Sequence, residues 1–315
     1  MYRQSLEYRQ WSTANKSVMG EGSTPLIRLL QLEKKLEWAG EIWAKCEFQN
    51  PTGSFKDRGS VSEIQIALSH NKQGVVCAST GNMAASLSAY AARAGLKCYV
   101  VVPTITPETK LRQATIAGAE LVKINGNYDE CVGEAIALAA KKNLLLCGDY
   151  EVRREGQRSI GIELACSGIN FSAFICPIGN GTVGCATAEG FAKKNQRPQF
   201  IGVQGFGADP LTAAWKNNKP ICAIRKPKTI ASAMNVGCPL DGKLTLDLVR
   251  ASDGALVSVT DKEITAAQQF LARIEGIFVE SAAAATVAAL PKIPQPNQCA
   301  KIVLILTGSG LKENV

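Results

Sequence analysis

The stretch Asn50-Pro51-Thr52-Gly53-Ser54-Phe55-Lys56-Asp57-Arg58-Gly59 decides how the rest of the chain is read. It joins an apolar run, Glu41–Glu47, to a helix-like pattern, Lys56–Ser69. Asn-Pro and Thr-Gly dipeptides make a turn between them. Ser54 is expected to cap the helix, which puts Lys56 in its first turn. The positive end of a helix disfavours an ammonium ion, and a lysine with a lowered pKa suits imine chemistry. The same residues also describe a surface lysine beside an N-cap, so this stretch alone leaves both readings open.

Three further junctions resemble it, each where an apolar run meets a turn. Ala78-Ser79-Thr80-Gly81-Asn82-Met83-Ala84 follows Gly74-Val75-Val76-Cys77 and opens a helix. Its hydroxyls, its amide and the free backbone N–H groups suit a carboxylate, though an ordinary N-cap explains them equally. Pro177-Ile178-Gly179-Asn180-Gly181-Thr182-Val183-Gly184 follows Ala173–Cys176. Its glycines let backbone wrap an anion at a helix N-terminus. It lacks the Gly-Lys-Ser/Thr of a P-loop and the full dinucleotide fingerprint. Leu306-Thr307-Gly308-Ser309-Gly310-Leu311-Lys312 follows Lys301–Leu306, so apolar that it is expected in the middle of a sheet, although the turn could be a plain C-terminal one.

Between these points short apolar runs alternate with helical patterns. Strands are expected at Glu41–Glu47, Gly74–Ala78, Lys97–Val102, Glu120–Ile124, Leu144–Cys147, Ala173–Cys176, Phe200–Gln204 and Lys301–Leu306. Helical stretches include Lys56–Ser69, Asn82–Ala94, Tyr128–Lys142, Val183–Lys193 and Lys262–Glu275. This alternation predicts an α/β fold with parallel sheets flanked by helices, and ligands beyond the carboxyl ends of the strands. Pro291–Asn297 reads as a short proline-rich surface loop.

Composition narrows the chemistry. The chain has 315 residues, enough for two modest domains. Its net charge of +8 is spread out, with no basic block, so a small anionic ligand fits better than nucleic acid. No uncharged apolar run is long enough to cross a membrane, and Met1–Glu7 has no apolar signal core, so a cytoplasmic location is expected. The 11 cysteines include no Cys-x-x-Cys pair, and a metal site is not expected. They read as reduced thiols, mostly small buried residues. The single histidine, His70, lies at a helix end and turn, which argues against a Ser–His–Asp triad. A general base here is a lysine, a carboxylate or a cofactor group.

Taken together, the four junctions in this order and spacing resemble the threonine synthases, a family of fold-type-II pyridoxal-phosphate enzymes. The resemblance runs from Gly20-Glu21-Gly22-Ser23-Thr24-Pro25-Leu26 through Lys110–Gln113, Gly118-Ala119-Glu120, Gly126–Asp129, Glu155-Gly156-Gln157 and Gly202-Val203-Gln204 to Thr307–Lys312. Its most specific pieces are Pro51–Arg58 and the terminal Thr-Gly-x-Gly-Leu-Lys. It implies a two-domain, tryptophan-synthase-β-like fold, with a large domain of residues 1–60 and 147–315 and a small one of 61–146. It implies that Lys56 carries pyridoxal 5′-phosphate as a Schiff base and then moves protons. Asn82 would bond the cofactor's ring hydroxyl, and Gly179, Asn180, Gly181, Thr182 and Val183 would cradle its phosphate. Thr307 would face the pyridine nitrogen. Ser79, Thr80 and Gly81 would hold the substrate carboxylate, and Lys110, Arg153 and Arg158 are the candidates for a phosphate leaving group. A neutral hydroxyl at the ring nitrogen cannot stabilise a pyridinium as an aspartate would, which implies a weaker electron sink. The implied reaction is lysis of O-phosphohomoserine by water to threonine and phosphate, by a homodimer.

Two departures keep other reactions open. Family members commonly carry a second asparagine in the glycine loop, where Thr182 and Val183 stand here. They also tend to have Asn-Pro-Tyr-Arg where this chain has Tyr150-Glu151-Val152-Arg153. Because those asparagines help to bind the substrate phosphate, a β-replacement or β-elimination enzyme on the same scaffold stays open, such as a cysteate synthase or a serine/threonine dehydratase. A non-catalytic ligand-binding relative is the third reading, and retention of Lys56 with both anion loops argues against it.

Overall fold

The structure, a computed structural model, describes residues 18–294 and 297–313. The Met1–Glu7 segment and part of the proline-rich loop lie outside the described residues. The strands are β1 (Leu26–Arg28), β2 (Glu41–Lys45), β3 (Gly74–Ala78), β4 (Lys97–Pro103), β5 (Glu120–Ile124), β6 (Leu144–Leu146), β7 (Ala173–Pro177), β8 (Gln199–Gly205), β9 (Ala255–Val259) and β10 (Lys301–Ile305). The α-helices are α1 (Leu30–Lys35), α2 (Lys56–Ser69), α3 (Asn82–Ala94), α4 (Glu108–Ile116), α5 (Tyr128–Lys142), α6 (Glu151–Gln157), α7 (Ser159–Ala165), α8 (Thr182–Ala192), α9 (Pro210–Asn217), α10 (Gly242–Ala251), α11 (Asp261–Glu275) and α12 (Ser281–Ala288).

The chain divides into two compact units. The first comprises Lys56–Gly148 with the described residues 18–21. Its four strands lie in the order β5-β4-β3-β6, all parallel. Successive side chains of a strand point to opposite faces, and here both faces are buried. Val75, Cys77, Val100 and Val102 enter one core cluster, while Val76, Tyr99 and Val101 enter another. The division falls at Phe55/Lys56, at the head of α2, because α2 packs against α3 of this unit. Local chemistry sets the helix ends. Asn127 and Glu130 form a capping box that starts α5, and Asn143, at φ 50°, stops it.

The second unit comprises Gly22–Phe55 and the chain from Asp149 onward. Its six strands lie in the order β1-β2-β10-β7-β8-β9. Only the edge strand β1 is antiparallel. The apolar β10 is internal, between β2 and β7, as its sequence predicts. Its Ile302 and Leu304 join one core cluster, and Val303 and Ile305 join the cluster on the other face.

All eight predicted strands are present, with ends shifted by at most two residues. β1 and β9 were not foreseen. Both are sheet edges, β1 is short, and neither carries the unbroken apolar run that marks an internal parallel strand. The proline-rich loop begins as a 3-10 turn, Leu290–Lys292.

Candidate active site

Within the second unit two segments far apart in sequence run side by side. Phe55 N–H donates to the Thr307 carbonyl at 2.9 Å, and Ser309 N–H to the Gly53 carbonyl at 3.0 Å. Ser54 and Gly308 form the antiparallel bridge between them. Lys312 closes the motif, its Nζ donating to the Thr52 carbonyl at 2.8 Å. The turn that delivers Lys56 is therefore fixed by the C-terminal Thr307–Lys312 segment. Lys56 follows Phe55 directly and is the first residue of α2. The expected cap is absent, because Ser54 Oγ is buried with no hydrogen-bond partner. Ser54 is committed to the extended bridge with Gly308, so its hydroxyl does not reach a helix amide.

Thr307 is 2% exposed, and its hydroxyl donates to Glu280 Oε1 at 2.9 Å. Glu280 is itself buried. Its backbone N–H donates to the Gly308 carbonyl at 2.9 Å, and Val279 bridges Ser309. A Cβ on residue 308 would stand 2.3 Å from the Glu280 carboxyl carbon, so any side chain there would displace that carboxyl group.

The glycine loop connects β7 to α8. A Cβ at Gly179 would lie 2.4 Å from the Ala233 carbonyl oxygen. Gly181 has φ +94°, in the left-handed region, and a Cβ there would lie 2.3 Å from Thr245 Oγ1. No side chain caps α8, which leaves its first amides for a ligand. Thr182 Oγ1 is buried and faces the Asp241 carboxyl without a hydrogen bond of normal length. Val183 packs into the core, so its contribution to an anion is its backbone. Asn180 braces the loop. Its Nδ2 donates to Asp149 Oδ2 at 2.8 Å, and its carbonyl accepts from Asp241 N–H at 2.9 Å. Burial raises the Asp241 carboxyl above its ordinary pKa, opposed first by the Thr182 hydroxyl and then by the Arg154 guanidinium 2.8 Å away.

The arginines of α6 and its flank divide in character. Arg153 is fully buried. The guanidinium of Arg158 is already compensated, because Glu151, Glu155 and Glu189 all engage it. It braces α6 against α8.

In the first unit Ser79, Thr80, Gly81 and Asn82 lie at the carboxyl end of β3. Gly81 N–H donates to Ser79 Oγ at 3.3 Å, and the space beside Gly81 is open. Buried Ser86 Oγ donates to Ser60 Oγ at 2.7 Å. These serines lie about one helical turn past Asn82 and Lys56 respectively, so α2 and α3 are locked near their N-termini. Lys110 is exposed on α4.

A loop that admits only glycine at two places and an uncapped helix behind it fit the phosphate of pyridoxal phosphate. The family model for "Pyridoxal-phosphate dependent enzyme" matches residues 18–308. The threonine synthase of Methanocaldococcus jannaschii is 39% identical, over 98% of this chain and 80% of that protein. The chain belongs to the threonine synthase family of pyridoxal-phosphate-dependent enzymes. The threonine synthase of Halalkalibacterium halodurans is 37% identical over 94% of this chain and 84% of its own length. Among solved structures, maize serine racemase superposes with a TM-score of 0.81 at 22% identity, covering 91% of this chain and 88% of that one. The serine racemase of Dictyostelium discoideum gives 0.79 at 26%, covering 91% and 92%. The family is a group of enzymes dependent on pyridoxal phosphate, and this chain shares that fold and cofactor.

Two residues that sequence reasoning missed brace the family's motifs: Glu280 and Asp241. Glu280 left a signal, as the single acid in the apolar stretch Phe278-Val279-Glu280-Ser281-Ala282-Ala283. Asp241 left none, since only the fold brings it to the loop.

Proposed function

We propose that the protein converts O-phosphohomoserine and water to threonine and phosphate. The observation that carries this reading is kinship with threonine synthases over nearly the whole chain, together with Lys56 at the head of α2. Bound pyridoxal phosphate would supply an electron sink for carbanion chemistry next to the amino group. Lys56 Nζ would hold it covalently and, once freed by the substrate amine, take and return the Cα proton. The Gly179–Val183 backbone would hold the cofactor phosphate, Asn82 the ring hydroxyl and Thr307 the ring nitrogen. Ser79, Thr80 and Gly81 would hold the substrate carboxylate. Of the basic candidates Lys110, Arg153 and Arg158, the last has its charge compensated by Glu151, Glu155 and Glu189, which disfavours it as the ligand of the leaving phosphate. We also propose a homodimer in the cytoplasm. Among the described residues no helix is long and apolar enough to cross a membrane.

The glycine loop favours one competing reading. Thr182 and Val183 stand where family members commonly have asparagine, which fits a β-elimination or β-replacement reaction on a substrate with a different leaving group. Product analysis separates the two. Threonine plus one equivalent of phosphate from O-phosphohomoserine supports the first. Ketoacid from serine or threonine, or turnover of O-phosphoserine alone, contradicts it.

A further inference from the structure

We infer that Arg154 is a positioning residue for the cofactor phosphate: it anchors Asp241, and Asp241 holds the Asn180–Thr182 backbone in the shape that receives that phosphate. This rests on the proposal that the glycine loop cradles the cofactor. The sequence singles out Arg153 and Arg158 for an anion, and Arg154 stands between them on α6.

The contacts form a chain within the second unit. Arg154 Nη1 donates to Asp241 Oδ1 at 2.8 Å, and the arginine side chain is 16% exposed. Among the described residues Arg154 is the only cation paired with Asp241. Glu151 of the same helix engages the guanidinium, and Glu189 of α8 lies 3.5 Å from its Nε, so Arg154 is itself held in place. Asp241 then meets three successive residues of the loop. Its N–H donates to the Asn180 carbonyl at 2.9 Å. Its Cβ and carbonyl oxygen lie against Gly181, each 3.3 Å from where a Cβ would stand. Its carboxyl faces the Thr182 hydroxyl. Asp241 occupies the N-cap position of α10 but makes no side-chain cap there. Its carboxyl is directed at Arg154 and the loop, not at its own helix.

An anion binds such a loop more tightly when the N–H groups already converge before it arrives. Gly181 has the freest backbone of the loop, at φ +94°, and no side chain caps α8 behind it. The restraint comes from Asp241, and Arg154 fixes Asp241.

The test compares pyridoxal phosphate with pyridoxal, which carries the same ring and aldehyde but no phosphate. Both affinities are read from the absorption of the imine as each is titrated into protein freed of cofactor. In Arg154→Met the preference for pyridoxal phosphate over pyridoxal should fall about tenfold or more, the size of a lost charge-assisted hydrogen bond, with pyridoxal affinity changed less than about twofold. Asp241→Asn keeps the backbone contacts, loses the ion pair and should lower the same ratio. The double variant should lose no more than the larger single loss, because both residues act through one chain. Arg154→Lys, which keeps the charge, should recover part of the preference. A role in folding alone would weaken both ligands together. An equal loss for the two ligands, or an unchanged ratio in either single variant, overturns the inference. A wild-type protein that binds pyridoxal as tightly as pyridoxal phosphate would instead remove the assignment of the loop itself.

Discussion

Ser86 Oγ donates to Ser60 Oγ at 2.7 Å, in the buried space between the helix that begins at Lys56 and the helix that begins at Asn82. Helices of a parallel sheet run back against its strands, so both N-termini lie at the carboxyl edge, where such sheets bind ligands. The hydrogen bond ties the two ends about one turn along each helix. Ser86→Ala removes this buried bond, at a cost of about 0.5–1.5 kcal/mol. The double variant Ser60→Ala/Ser86→Ala should lose less than the sum of the two single losses. Urea unfolding of the four proteins measures this, and strict additivity would show that the bond does not couple the helices.

Gly179 meets the Ala233 carbonyl, and that contact predicts a binding defect. A methyl group at residue 179 would lie 2.4 Å from a backbone oxygen, which cannot rotate aside. The loop must shift, so Gly179→Ala should weaken pyridoxal phosphate binding at least about tenfold if the displacement costs more than ~1.4 kcal/mol. Titration of the visible absorption band at rising cofactor concentration reads the change. Unaltered affinity would show that this loop does not hold the phosphate.

The thiols divide by burial. Cys166, Cys222, Cys238 and Cys299 are exposed, and the other seven are buried. Burial pushes the Cys46 and Cys185 thiols up to about 12, and Cys98 to about 11. Because the thiolate is the reactive species, these groups should resist alkylation near neutral pH. Native protein should take up four equivalents of a thiol reagent quickly and eleven only after denaturation. Fast loss of Cys176 or Cys185 would show that the β7–α8 region opens readily.

Glu263 sets a small pH dependence. Burial alone would raise its carboxyl, but hydrogen bonds from Lys292 at 2.8 Å and from the Thr260 N–H and hydroxyl hold it below the ordinary value. A depressed carboxyl adds stability above its unfolded pKa, near ~4.3, and that stability is lost as pH falls through the folded value. Glu263→Gln should therefore be less stable than wild type at neutral pH, with the gap closing in acid. The pair is partly exposed, so the neutral-pH gap should stay below about 1 kcal/mol. Thermal melts across pH check the sign, and a gap that widens in acid would contradict it.

What could be foreseen follows physical rules. Internal parallel strands are buried on both faces, so β7 and β10 stand out as apolar runs, and the glycines after β7 follow from backbone geometry. The bounds of α2, α3 and α5 agree with the expected helices, because turns and caps sit beside them in sequence. Relations between distant residues were hidden. Ser54 looked like a cap until Gly308 claimed its backbone. Arg158 looked like a phosphate ligand, but Glu189, 31 residues further on, joins two acids of α6 in compensating it. Glu280 is 27 residues from Thr307, and nothing local announces their bond.

The central claim is that Lys56 is the residue that carries pyridoxal phosphate, and one measurement tests it directly. The purified holoenzyme is reduced with borohydride, digested, and mapped by mass spectrometry. The account predicts a single pyridoxyl-phosphate group on the peptide containing Ser54-Phe55-Lys56-Asp57, and none in Lys56→Ala. A label on another lysine, or an unmodified Lys56 in protein that has bound the cofactor, would contradict it.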